Sequence, residues 1–458
     1  LLISIYNNEY LDMQLKQAPR PEANPIFGST LEIIKDPLGF LRNNEKEFPG
    51  ISGMRVTLWN VLHLTDPDYI KHVLQTNPKN YKKGRIYREV KLVLGNGLLT
   101  NEGESWFKQR RLEQPAFYKE RLAGFTSIMA ESCREMLDKW KAENINRLDI
   151  HKGLTNLTLN IVCRTMFSQD VKDYTNSIGE SLAYVIEFTY YRNYHPVKIP
   201  LWVPVPSNVK FLKHRKNLND LIFSIINERK TRADKYNDLL QMLIDAKDAD
   251  TGETMSDQQV VDEVMTIFIA GLETTANALT FAIYLLAEHP EAEQTLNKEI
   301  SDVLSNGQPW FERLRSLNYT QMVINEAMRL YPPAYVITRE ALNDDQIGEY
   351  KVRKGDEIMI SIFVMHSSNR FWNDPEIFDP SRFEPEKDKN RHKFVYFPFG
   401  GGPRICIGNN FAMMEMQILL SMIFNEFRFK KVKEHKVELE PLITLRPRNG
   451  MWMEIEQR

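Results

Sequence analysis

A cysteine at position 406 stands in the stretch Phe399-Gly400-Gly401-Gly402-Pro403-Arg404-Ile405-Cys406-Ile407-Gly408. Consecutive glycines are costly in regular backbone, because glycine loses the most freedom on folding. They suit a chain that turns tightly and comes close to something flat or charged. Residues Asn409 to Phe424, rich in Met, Leu and Ile, read as a helix. A cysteine just before a helix N-terminus lies near the positive end of the helix dipole, which favours thiolate over thiol. Arg404 adds a fixed positive charge two residues upstream. A thiolate on a rigid glycine loop is a good ligand for a soft or borderline metal such as iron. Two plainer readings stand beside this one: an inert, buried cysteine, or half of a zinc site. Zinc needs several Cys or His ligands at close spacing, and none lies within ten residues of Cys406.

The spacing F-x-x-G-x-R-x-C-x-G is matched in full by Phe399, Gly402, Arg404, Cys406 and Gly408, and it resembles the haem-ligand loop of cytochromes P450. A second segment tests that resemblance. Ser256 with Gln259 three residues on forms a capping box, after which the sequence reads as helix to about Glu288. Such a helix is about 48 Å long at 1.5 Å per residue, and its apolar character predicts a path through the core. Its middle, Ala270-Gly271-Leu272-Glu273-Thr274-Thr275, is a poor helix former. The plain reading is a core helix with a small residue for packing and a paired acid. The pattern also resembles the P450 A/G-G-x-E/D-T-T segment, where glycine relaxes the helix and opens a groove for dioxygen. Cleaving dioxygen consumes two protons; a threonine hydroxyl can hold ordered water and a carboxylate can relay protons. The resemblance gives those roles to Thr274 and Glu273, and places Ala270 and Gly271 against the cofactor. Peroxide-using relatives often lack the acid–alcohol pair, so its presence favours a monooxygenase.

Trp106 and Arg110 are i, i+4 and share a helix face, which by itself describes an amphipathic surface helix. The resemblance implies that this W-x-x-x-R pair binds a haem propionate, with Arg111, Lys108, Lys119 and Arg121 as candidates for a basic face that receives an electron donor. Glu326 and Arg329 are i, i+3 on a helix ended by Tyr331-Pro332-Pro333. Alone, that is a common surface pair worth a few tenths of a kcal/mol. It resembles the P450 E-x-x-R helix, whose third partner is the arginine of P-E-R-F. Here Pro380-Ser381-Arg382-Phe383 keeps the arginine and replaces the glutamate, so the implied structural triad is Glu326, Arg329 and Arg382. Tyr335–Arg339 reads as a strand, with Arg339 as a second propionate ligand by resemblance. Gly355 and Asp356 mark a hairpin turn before a strand Ile358–Phe363. Phe399, Gly400 and Arg404 would border the cofactor, and His392 is either near a propionate or a surface histidine.

The rest of the 458 residues bounds the reading. A net charge of −2 argues against nucleic acid as the main partner. Three widely separated cysteines (Cys133, Cys163, Cys406) imply no disulfide framework and fit a reducing compartment. No run of eighteen or more apolar residues occurs, so no transmembrane helix is expected. The chain does not start with Met, which leaves room for a removed leader. Residues 17–28 read as an extended, proline-rich lead-in, Ile51–Leu64 as β structure, residues 84–105 as loop-rich, and 125–240 as helices interrupted by Pro196, Pro200, Pro204 and Pro206. Tyr190, Tyr191 and Tyr194 precede that interruption; with Tyr87, Val336 and Ile337 they are candidate substrate-pocket residues. Tyrosine and arginine stack and hydrogen-bond, which suits an oxygenated substrate such as a methylated sugar or aromatic ether, with lipid-like substrates the alternative.

The expected architecture over 1–458 is a single cytochrome P450 domain, mainly α with a small β-rich lobe and no fused reductase. The implied cofactor is haem b with an axial cysteine thiolate. The implied reaction inserts one atom of O2 into an organic substrate, by C–H hydroxylation or oxidative O-demethylation, with electrons from a separate ferredoxin or flavodoxin and its reductase. The expected location is cytoplasmic. The alternatives are a haem-thiolate peroxygenase or isomerase, and a non-catalytic haem-binding sensor.

Overall fold

The computed structural model describes residues 15–56, 59–168, 172–194, 198–231, 236, 238–248 and 251–458. It is mainly helical with small sheets, and the chain separates into two compact units.

The first unit takes the described residues up to Arg88 together with Ala334–Glu376 and Asn390–Cys406. Its centre is a five-stranded sheet in the order Ile51–Val56, Trp59–Leu64, Glu357–Ser361, Val336–Ala341, Tyr81–Lys83. One pairing is parallel, setting Val61 opposite Glu357 and Leu64 opposite Ile360; the others are antiparallel. Ile51, Leu62, Leu64, Tyr81, Ile358 and Ile360 pack with Phe394 and Phe397 into its apolar core. The strand expected to reach Phe363 stops at Ser361. The Ser361 hydroxyl accepts the Val364 N–H at 3.2 Å, a helix cap that turns Ile362–Ser367 into a helix.

The second unit takes Glu89–Pro333, Ile377–Lys389 and Ile407–Arg458. Its axis is the helix Asp257–Glu288, with the bounds the capping box predicts: the Ser256 hydroxyl accepts the Gln259 N–H at 3.3 Å. Among the described residues this helix alone is long and apolar enough to cross a membrane by length and composition, and most of its apolar stretch is buried, which makes it a core helix. Helices Ile150–Phe167, Asn318–Leu330 and Asn409–Glu426 pack against it. A three-stranded sheet sets Trp452–Gln457 between Arg147–Asp149 and Phe427–Lys431.

Two expectations fail at element level. The segment 84–105, expected to be loop-rich, carries the helix Ile86–Leu94, because Val90, Val93 and Leu94 fall at i, i+3, i+4 and all bury. The strand Arg147–Asp149 interrupts what reads as continuous helix; its three residues are too few to show a period of their own.

Candidate active site

In the first unit, Cys406 ends a loop held by its own backbone. The Cys406 N–H donates to the Phe399 carbonyl at 3.0 Å, the Gly400 N–H to Phe397 at 2.9 Å, and the Ile405 N–H to Gly402 at 3.2 Å. Gly400 and Gly402 adopt positive φ of 74° and 69°. Gly402 also has no room for a side chain, since a Cβ there would lie 1.7 Å from the Leu74 carbonyl oxygen. The triplet's cost is therefore explained by a left-handed turn and a close backbone approach. Arg404 reaches away from the loop to donate to the Pro78 carbonyl at 3.2 Å. Arg339 is buried on its strand and donates to the Thr338 carbonyl at 2.8 Å. His392 stands 3.6 Å from Asp68, and its Nδ1 accepts the Phe394 N–H at 3.2 Å. Phe399, Tyr87, Val336 and Ile337 are half-buried.

In the second unit, the helix Asp257–Glu288 runs unbroken through Ala270–Thr275. Thr274 donates its hydroxyl to the Ala270 carbonyl at 2.6 Å. The neighbouring Leu272 carbonyl accepts the Thr158 hydroxyl at 2.8 Å. A Cβ at Gly271 would meet Val162 at 2.9 Å, so the glycine here lets two helices approach. Ala270 is exposed. Glu273 is buried and faces Arg446 at 3.4 Å, which in turn pairs with Glu440 at 2.9 Å.

Trp106 and Arg110 share the helix Gly103–Glu113. Trp106 is buried and its indole N–H donates to the Leu98 carbonyl at 3.1 Å, while Arg110 is half-buried. Glu326 and Arg329 are both fully buried, with Arg329 bidentate on the carboxylate at 2.7 and 2.8 Å. The Asp379 N–H donates to Glu326 at 2.9 Å, and Arg382 approaches the same oxygen to 3.4 Å. The structure thus brings Glu326, Arg329 and Arg382 together. Burial pushes the Glu326 carboxyl up, and Arg329 opposes it. Tyr190 is half-buried and meets Tyr191 edge-on, and Tyr191 is 57% exposed. The Tyr194 side chain lies outside the described residues.

Sequence reasoning missed two sets of buried acids, one on the long helix and one on Asn409–Glu426. Glu263 accepts the Gln109 amide at 2.6 Å and the Leu98 N–H at 2.8 Å, and Asp262 accepts the Asn96 N–H at 2.7 Å, so two acids clamp the loop ahead of Trp106. The signal was present: acids inside an apolar helix need partners. Glu415, fully buried on Asn409–Glu426, is the second; burial pushes its carboxyl up to about 8, with the Thr275 hydroxyl opposing.

The model of the Cytochrome P450 family matches residues 18–453. This chain is a cytochrome P450. It is 33% identical over 428 residues to cyclooctatin synthase of Streptomyces melanosporofaciens, covering 93% of this chain and 92% of that protein. It is 31% identical to cyclooctat-9-en-7-ol 5-monooxygenase of the same organism, covering 90% and 89%. It is 30% identical to 11-oxo-beta-amyrin 30-oxidase of Glycyrrhiza uralensis, covering 84% and 77%. As a P450 the chain is an oxidoreductase, a monooxygenase that takes a small organic substrate, O2 and electrons from a redox partner, and its cofactor is haem with an axial cysteine thiolate on iron.

The donor set fits that cofactor. A single exposed cysteine on a rigid loop offers one thiolate to an iron whose remaining ligands come with the macrocycle. Cys133 and Cys163 are fully buried, with burial pushing both thiols up to about 12. Cys406 is exposed.

Proposed function

We propose that Cys406 is the haem ligand and that the chain hydroxylates, or oxidatively demethylates, an oxygenated organic substrate with electrons from a separate ferredoxin or flavodoxin. The observation that carries this is the contrast among the three cysteines. Thiolates are needed to bind iron, and only Cys406 is exposed, on a loop whose backbone is already fixed. When bound, thiolate-ligated haem supplies oxygen activation and insertion of one atom into a C–H bond.

The chain's own residues then have the following work. The Phe399–Gly402 turn fixes the direction of Cys406, and Gly400 keeps the loop free of a Cβ on that side. Arg110 and Arg339 supply guanidinium groups for the propionates; the Trp106 N–H, now on Leu98, joins them by exchanging that bond. Arg404 braces the loop through Pro78, and the contacts of His392 favour holding the loop to Asp68. Thr274 and Glu273 deliver protons: the Thr274 hydroxyl holds a water by turning from the Ala270 carbonyl, and Glu273, held by Arg446 at 3.4 Å, passes protons inward from solvent while Arg446 stays charged. Glu326, Arg329 and Arg382 hold the core rather than react. The match of one family model to residues 18–453 supports one catalytic domain. The names of two relatives, an alcohol and an oxo compound each oxidised at a numbered position, support a substrate that already carries oxygen. Few, widely spaced cysteines support a reducing, cytoplasmic location.

The test is the absorbance of the reduced, CO-saturated protein. The thiolate-type Soret band is lost in Cys406→Ser and kept in Cys133→Ala and Cys163→Ala; retention in Cys406→Ser would overturn the assignment. NAD(P)H-dependent turnover with added ferredoxin and reductase, against turnover with peroxide alone, separates the monooxygenase from a peroxygenase.

A further inference from the structure

A cavity of about 290 Å³ opens in the first unit between the lead-in segment and the strand Ile51–Val56. Its polar wall is Arg20, Asn24, Ser29 and Arg55, and the remainder is apolar, including Met54 and two prolines. Each polar group has hydrogen to give. The Asn24 side-chain oxygen Oδ1 accepts the Ile26 and Phe27 N–H groups at 2.9 and 3.0 Å, which leaves its side-chain amide nitrogen. The Ser29 hydroxyl is buried, 1% exposed, and has no hydrogen-bond partner among the described residues. Among the described residues Arg55 donates only to the neutral main-chain carbonyls of Asn24 and Pro25. Neither Arg20 nor Arg55 has an ion-pair partner among the described residues. The carboxylate that feels Arg20, Asp356, already accepts the Arg353 N–H at 2.8 Å. No acid is among the described residues that line the cavity. Two arginines and one buried, unpaired hydroxyl thus line a single cavity, and an anion bound there would give the hydroxyl the acceptor it lacks.

The geometry around them is preformed. The Ser29 N–H donates to the Arg55 carbonyl at 2.7 Å, and Gly28, at φ 60°, packs so closely that a Cβ there would lie 2.1 Å from that oxygen. Outside the cavity the same segment turns apolar side chains to solvent. Ile26 is 73% exposed, and Phe27, Leu31 and Ile34 are exposed as well, while Ile33 faces inward. Leu31 and Ile34 lie one turn apart on Thr30–Lys35.

We propose that this cavity binds the anionic head of an amphiphile, a phosphate or carboxylate held by Arg20 and Arg55 with Ser29 donating, and that the apolar tail lies along Ile26, Phe27, Leu31 and Ile34. Charge-assisted bonds from two guanidinium groups fix the head, and the exposed strip accounts for the tail. The site depends on neither the haem nor the reaction.

The experiment uses the haem-loaded full chain with three probes: dodecyl phosphate below its micellar concentration, inorganic phosphate, and phosphatidylcholine vesicles with or without phosphatidic acid. Calorimetry follows the first two and co-sedimentation the third. Dodecyl phosphate binds at one site, and Arg20→Gln or Arg55→Gln weakens it about tenfold, the loss of one charge-assisted contact. Ser29→Ala also weakens it, yet leaves the melting temperature of the unliganded protein unchanged or higher, because it removes an orphaned hydroxyl; a structural serine would lower it. Inorganic phosphate binding as tightly as dodecyl phosphate identifies a soluble anion as the source. Sedimentation only with phosphatidic acid vesicles, abolished in Arg20→Gln, identifies a lipid headgroup. Absence of saturable binding by all three probes, or binding indifferent to all three substitutions, overturns the proposal.

Discussion

Thr274 and Thr275 are neighbours with opposite surroundings. Thr274 is half-buried with its hydroxyl on the Ala270 carbonyl, whereas Thr275 is buried beside Glu415. A hydroxyl that back-bonds within its own helix can be turned away at modest cost, which is what holding a water requires. Thr274→Ala is therefore expected to leave the fold intact and to raise hydrogen peroxide release per NAD(P)H consumed by several-fold. Unchanged coupling would count against the proton-delivery role. Glu415 makes a different prediction. Both its oxygens are buried, and burial outweighs the opposing Thr275 hydroxyl. Its folded pKa, about 8, lies above the ordinary value of 4.5, so between those values the folded chain binds more protons than the unfolded one. By linkage its contribution to stability is present below pH 4.5 and is lost as pH rises toward 8. Glu415→Gln, neutral throughout, is expected to melt higher than the parent at pH 8 by an amount worth a few kcal/mol at most, and to differ little at pH 5. A parent and variant with parallel melting-temperature profiles would refute the assignment.

At the scale of elements, the buried Glu326–Arg329 pair is an unforgiving contact in the second unit. Both side chains are fully buried, and the carboxylate also satisfies the Asp379 N–H. Glu326→Ala strands a buried guanidinium, a change that typically costs about 3–5 kcal/mol. Arg382→Ala, removing a contact at 3.4 Å from a partly exposed side chain, should cost far less. Denaturant midpoints of the two variants check the order. The elements that hold this pair were legible because their signals are local. A capping box marks where Asp257–Glu288 starts, and Tyr331-Pro332-Pro333 marks where Asn318–Leu330 stops. The geometry of the pair itself was legible only through motif spacing, since E-x-x-R on a helix says nothing about burial. What stayed hidden depended on partners distant in sequence. Arg147–Asp149 is a strand only because Trp452–Glu454 lies beside it. Ile86–Leu94 was obscured by the glycines on either side, although its own apolar spacing was present. The clamp of Asp262 and Glu263 on Asn96, Leu98 and Gln109 joins positions more than a hundred and fifty residues apart, and no local pattern encodes such a register.

Taken whole, the molecule carries nearly balanced charge, with 59 basic and 61 acidic residues, so attraction of an electron donor must come from local placement rather than net charge. Of the four cations assigned to a donor-facing surface, two are already partnered: Lys108 with Glu253, and Arg111 with Asp248 at 2.9 Å. Lys119 and Arg121 lie on the short helix Lys119–Leu122, both exposed. A partnered cation contributes mostly a dipole at a distance, and exposed pairs are further weakened by salt. If an acidic ferredoxin is the donor, its steering rests on Lys119 and Arg121. The double charge reversal Lys119→Glu, Arg121→Glu is expected to slow reduction of the ferric protein by about tenfold or more at low ionic strength, within the range that steering supplies, and to flatten the dependence of that rate on salt. Lys108→Gln with Arg111→Gln should change both far less. Stopped-flow reduction across a salt series measures both quantities. Equal effects from the two double variants would show that the existing ion pairs open for the donor, and no effect from either would place the donor on another face.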